Sequence, residues 1–150
     1  MLDQDPIIVA EASDDESREQ RERFLANYKC LQESEGGGSG ARKRVLVVGD
    51  GNLSFSLALA RLFPNIELVA TTLDSRAVLE ERYASGEVVR ELEALGAEVR
   101  DEVDGTALGA ALGASFRADL IVFNFPHHPG KGYIQRNRAL LLGFLESSAQ

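Results

Sequence analysis

The residues with most chemical content lie in four short stretches. Gly49-Asp50-Gly51-Asn52 follows the apolar run Val45 to Val48, Asp74 follows Val69 to Leu73, Asp104 opens Asp-Gly-Thr, and Asn124-Phe125-Pro126-His127 follows Leu120 to Phe123. Gly49 and Gly51 let a ligand come close to the backbone, with no Cβ in the way. A carboxylate at Asp74 suits the two hydroxyls of a ribose, and one at Asp104 suits an exocyclic amine. Asn124 offers both a donor and an acceptor to a base edge, Phe125 offers a ring face, and Pro126 stiffens the turn. His127 has an ordinary pKa near neutrality, which makes it the candidate general base.

Each of these residues also has a plainer use. Asp74 could cap a helix beginning near Arg76, Asp104 one beginning near Ala107, Phe125 could belong to the core, and His127 could hydrogen-bond to loop backbone. Charge discriminates between cofactors. Asp50 would set a negative charge against a pyrophosphate, and Ser54 stands where a dinucleotide fingerprint has its third glycine, so NAD and ATP are disfavoured. S-adenosylmethionine has no phosphate, and its sulfonium and ammonium groups tolerate an acid in the glycine loop. His127 and His128 have no carboxylate or cysteine at ligand spacing around them, so no metal site is expected.

These residues need a scaffold that brings strand ends together. Strands are expected at Arg44 to Val48, Glu67 to Thr72, Glu98 to Val103 and Leu120 to Phe125. Helices are expected at Ser54 to Phe63 with Ser54 as its cap, at Arg76 to Leu95 with a break near Gly86, at Ala107 to Leu112, and from Ile134 to Ser148. Alternating strands and helices predict a parallel sheet with right-handed crossovers, covered on both faces. In that α/β architecture ligands gather beyond the carboxyl ends of the strands, where all four stretches fall.

Composition narrows the class. The chain has 150 residues, 44% of them hydrophobic, enough for one ordinary globular domain. One cysteine, Cys30, excludes a disulfide framework and a cysteine-built zinc site. The acidic start MLDQDP does not read as a signal peptide, and no apolar run approaches a membrane span, so an intracellular soluble protein is expected. Net charge of −8 argues against a broadly basic nucleic-acid surface. Most of that acidic excess lies in residues 1–35, where Ser13-Asp14-Asp15-Glu16 starts a stretch with an apolar stripe at Phe24, Leu25, Tyr28 and Leu31. Gly36 to Gly40 reads as a linker. Residues 1–43 are therefore expected to be a largely disordered extension carrying an amphipathic helix, with a protein partner as its possible use, and 44–150 the folded domain. Between Leu120 and Leu145 there is no acid, while Lys131, Arg136 and Arg138 are present. Those three are the candidate contacts to RNA phosphate, the alternative being a solvated helix start.

Taken together, VLVVGDGNLSFSLALA, VATTLDS, VDGTAL and DLIVFNFPHHPGKG resemble the Rossmann-like domain of the ribosomal RNA uridine-N3 methyltransferase family, a domain also found in ferredoxin-fold anticodon-binding-domain-containing proteins. The resemblance covers about residues 43–148 and departs mildly at Leu53, where many members have an aromatic. It implies S-adenosylmethionine as methyl donor, N3 of a uridine in large-subunit ribosomal RNA as acceptor, and the nucleolus or cytoplasm as the working place. By the same resemblance Gly49, Asp50, Gly51 and Asn52 line the methionine end of the cofactor, Asp74 its ribose and Asp104 its adenine, while Asn124 and His127 face the base. The family's sheet has further strands beyond the helix ending at Ser148, so a three-layer domain incomplete at its carboxyl end is expected. Two other readings stay open: a noncatalytic cofactor- or RNA-binding relative, and a nicotinamide-dependent oxidoreductase, the latter disfavoured by Ser54.

Overall fold

The computed structural model describes residues 14–32, 42–124 and 133–149. The chain divides into two units, Met1–Gly37 and Gly38–Gln150. In the first, helix α1 (Asp14–Asn27) is followed by a single turn, α2 (Lys29–Gln32). α1 begins where the acid cluster places a helix start, is laced by the i,i+4 pairs Arg18–Glu22 and Arg23–Glu19, and stacks Phe24 on Tyr28 with ring centroids 4.9 Å apart.

The second unit is built on four parallel strands, β1 (Arg44–Val48), β2 (Glu67–Thr71), β3 (Glu98–Arg100) and β4 (Leu120–Phe123), in the spatial order β3-β2-β1-β4. Between them come α3 (Ser54–Leu62), α4 (Arg76–Tyr83), α5 (Gly86–Ala94) and α6 (Leu108–Leu112), the last preceded by a 3-10 turn at Gly105–Ala107; α7 (Tyr133–Ser148) follows β4. This is a Rossmann-like α/β fold. The chain moves outward from β1 to β2 to β3, then returns to the other side of β1, so the order reverses between β1 and β4.

The apolar alternation of the strands feeds two cores. Leu46 and Val48 of β1, Val69 of β2, and Ile121 and Phe123 of β4 pack with Val103, Leu108 and Phe144, placing α6 and α7 on that face. Val45, Val47, Leu68, Ala70 and Val122 alternate to the opposite face, where α3 packs on β2 and on α5. Ser147 Oγ accepts from Leu108 N at 2.7 Å in a buried position, which pins α7 to the start of α6.

Two local expectations are corrected and one is met. β3 ends at Arg100, because Thr72 N donates to Arg100 O and Val103 N donates to Thr72 O, leaving Asp101 and Glu102 to bulge out, with Glu102 at φ 55°. The break expected near Gly86 is present, since Ala84 adopts a left-handed φ of 49° and closes α4 before Ser85 and Gly86 begin α5. Ser54 is the first residue of α3, and its side chain is not the cap. That work is done from upstream by Asn52 and Asp50.

Candidate functional site

Register brings the predicted residues to one edge. Val48 pairs with Phe123, so Gly49 and Asn124 leave the sheet level with each other, on either side of the point where strand order reverses. Asp74 leaves the neighbouring strand β2, and Asp104 follows β3. Gly49, Asp74, Asp104 and Asn124 therefore line the carboxyl edge of adjacent strands, as the alternation of elements predicts. Phe125, Pro126, His127 and Lys131 lie outside the described residues.

The glycine loop is held by its own polar groups. Gly49 has φ +67°, and Asp50 N donates to Thr71 O at 3.0 Å, tying the loop to the end of β2. Asp50 Oδ2 accepts from both the backbone N and the Oγ of Ser56 at 2.7 Å, and Ser56 is fully buried. Asn52 Oδ1 accepts from Ser54 N at 3.1 Å and from Ser54 Oγ at 2.7 Å. Two free amides at the start of α3 are thus satisfied by loop side chains rather than by its first residue. Between them Leu53, wholly buried, sits at φ 62°, a left-handed conformation that its place in the core sustains.

Asp74 is not a helix cap. Ser75 takes that role, its Oγ accepting from Val78 N, while Asp74 is fixed through its backbone: its N donates to Thr72 Oγ1 at 3.3 Å and its O accepts from Glu102 N at 3.4 Å. The carboxylate meets Arg82, with Oδ2 3.6 Å from Nη1. Asp104 does take up the plainer use, since Oδ1 accepts from Thr106 N at 2.8 Å and Thr106 Oγ1 at 2.7 Å, opening the 3-10 turn. An oxygen used this way keeps a second carboxylate oxygen for another donor.

Three residues at this edge carried no chemical reading in the sequence. Leu73, beside Asp74, is 67% exposed. Arg82 and Tyr83 end α4, and the Tyr83 hydroxyl lies 3.8 Å from where a Cβ on Gly51 would stand. Their signal was a basic and an aromatic residue in the last turn of the helix, directly after Glu80 and Glu81. Arg136 and Arg138 lie exposed on α7. A separate cavity of about 420 Å³ opens beneath α6 and α7, against Leu46, Phe116 and Ile121; the carboxyl-edge residues do not line it. Among the described residues there is no group of three His, Cys, Asp or Glu placed to hold a metal, and no helix is long and apolar enough to cross a membrane.

A parallel sheet whose order reverses beside a glycine loop is a Rossmann-like α/β domain, a class in which ligands gather at the carboxyl edge beside the reversal. Residues 46–150 match the family model described as BMT5-like, rRNA (uridine-N3-)-methyltransferase BTM5-like, and the chain belongs to that family. It is 42% identical over 109 residues to the mouse Ferredoxin-fold anticodon-binding domain-containing protein 1 homolog, covering 71% of this chain and 18% of that protein. The human Ferredoxin-fold anticodon-binding domain-containing protein 1 is 38% identical over 111 residues, 73% of this chain and 18% of its own length. An uncharacterized Arabidopsis thaliana protein is 34% identical over 118 residues, 71% of this chain and 56% of that protein. The chain thus spans between about a fifth and just over half of these relatives. No solved structure matches it significantly.

Proposed function

We propose that this domain binds S-adenosylmethionine and methylates N3 of a uridine in large-subunit ribosomal RNA. The observation that carries the reading is the placement of Gly49 and Asn124 at the reversal between β1 and β4, with Asp74 at the same carboxyl edge after the neighbouring strand β2, in a chain of the BMT5-like family. The donor set suits the cofactor. Gly51 offers a surface a ligand can approach, and Asp74 has the two acceptor oxygens a ribose requires. Bound there, S-adenosylmethionine supplies an electrophilic methyl group.

The acceptor chemistry falls to the end of β4. The N3–H of uracil is mostly neutral at pH 7, so transfer requires the proton to leave and the charge to be shared with hydrogen-bond donors. His127 is assigned the proton and Asn124 the developing oxygen charge, with Phe125 and Pro126 as the wall against the base. Alignment of N3 with the methyl group supplies much of the rate. Lys131, Arg136 and Arg138 are assigned to RNA phosphates. The nucleolus or cytoplasm is the proposed place of work, and residues 1–35 the proposed surface for a protein partner.

Titration calorimetry of the full chain with S-adenosylmethionine and, separately, NAD tests the cofactor; saturable binding of NAD alone sinks the reading. Transfer of radiolabelled methyl to ribosomal RNA tests the reaction, and absence of N3-methyluridine in the product of a cofactor-binding sample overturns it. A second reading is cofactor or RNA binding without turnover. Cofactor binding with no methyl transfer is its expected signature.

A further inference from the structure

Two consecutive residues of α4 reach two of the loops at the carboxyl edge, the one after β2 and the one after β1. Arg82 meets Asp74 at 3.6 Å, and the Tyr83 hydroxyl stands 3.8 Å from the Cβ position of Gly51. The left-handed Ala84, whose N donates to Glu80 O at 3.0 Å, stops the helix immediately after them and holds this last turn in place. Tyr83 is 47% exposed, so its hydroxyl is open to a ligand. A nucleoside whose ribose is held at Asp74 and whose 5′ substituent runs across the glycine loop would bring that substituent to the Tyr83 hydroxyl.

Resting on the cofactor reading above, we propose that Tyr83 is the residue that recognises the amino-acid group of the ligand. Its phenol can donate to a carboxylate or accept from an ammonium, and it discriminates an aminocarboxypropyl thioether of adenosine from one ending in methyl. Arg82 fixes the direction in which the Asp74 carboxylate faces, so the same helix turn addresses ribose and tail.

The test compares S-adenosylhomocysteine with 5′-methylthioadenosine, which share adenosine and the thioether and differ in the amino-acid group. Affinities are measured by calorimetry on the full chain, wild type and Tyr83→Phe, a change that keeps the ring. Tyr83→Phe is expected to weaken S-adenosylhomocysteine about tenfold, the size of one hydrogen bond to a charged group, and to leave 5′-methylthioadenosine within about twofold. Asp74→Asn, in contrast, is expected to weaken both. Equal losses for the two ligands in Tyr83→Phe, or no loss for either, overturn the proposal while leaving the cofactor reading intact. A wild-type chain that binds neither ligand overturns both.

Discussion

The ring of Phe123 lies where a side chain on Gly49 would have to go: a Cβ there would come 2.9 Å from Phe123 Cε2. The same ring stands 3.7 Å from the Cβ position of Gly105 and meets Phe144 edge to face, with centroids 4.8 Å apart and planes at 68°. The last residue of β4 is therefore a spacer that the glycine loop, the turn after β3, and α7 all touch. The two ends of the strand-order reversal are packed through it.

Gly49→Ala is consequently expected to destabilise the fold by about 1–3 kcal/mol, from the left-handed φ and from overpacking against the ring. Urea denaturation checks the value. A midpoint equal to wild type would show that the loop moves freely off Phe123.

Gly105→Ala meets a different neighbour, Val48 Cγ1 at 2.8 Å, in a buried position next to the central strand. A loss of about 1–3 kcal/mol is expected here too, with no contribution from positive φ. Phe123→Leu, which removes the ring, is expected to recover part of the Gly49→Ala loss and little of the Gly105→Ala loss. A double-mutant cycle measures that difference directly.

Asp50→Ala removes the acceptor for both Ser56 groups and is expected to cost about 1–2 kcal/mol of stability, the range for a lost helix cap. Thermal denaturation monitored by circular dichroism reads this. An unchanged melting temperature would mean that water replaces the carboxylate at the start of α3.

Asp74→Ala separates ligand binding from folding. Its contact with Arg82 is partly exposed, and its loss is worth under about 1 kcal/mol. The variant is expected to keep its melting temperature within a few degrees while losing measurable affinity for S-adenosylmethionine. Retained affinity would remove Asp74 from the ribose role.

Arg136→Ala with Arg138→Ala is expected to weaken RNA binding uniformly across sequences and to flatten its dependence on salt, with cofactor affinity unchanged. Binding measured at several salt concentrations reports this. An unaltered salt slope would make both residues part of a solvated helix face. His127→Ala is expected to lower methyl transfer with cofactor affinity preserved, and undiminished turnover would leave it a structural loop histidine.

Much of this architecture is legible along the chain, because strands and helices here are set by local apolar period. The limits of β1 agree to the residue, and α3 and α7 agree within one residue at each end. The placement of Gly49, Asp74, Asp104 and Asn124 at one edge follows from the alternation of elements, since parallel strands share a carboxyl end. The four stretches that carry the family resemblance follow one another in chain order.

What the chain by itself does not determine is how each polar side chain is employed. Asp50 and Asn52 read in the sequence as ligand contacts with Ser54 as the cap, and only the direction in which the loop enters α3 turns their side chains toward Ser56 and Ser54. Asp74 and Ser75 are neighbours with similar capping chemistry, and the pairing of Thr72 with Arg100 and Val103 decides that Ser75 takes the cap. Tyr83 reaches Gly51 across thirty-two positions of sequence because α4 returns along the sheet edge, a proximity no local pattern encodes. Secondary structure answers to near neighbours, whereas the meeting of α4, the glycine loop and Phe123 depends on side chains brought together by packing.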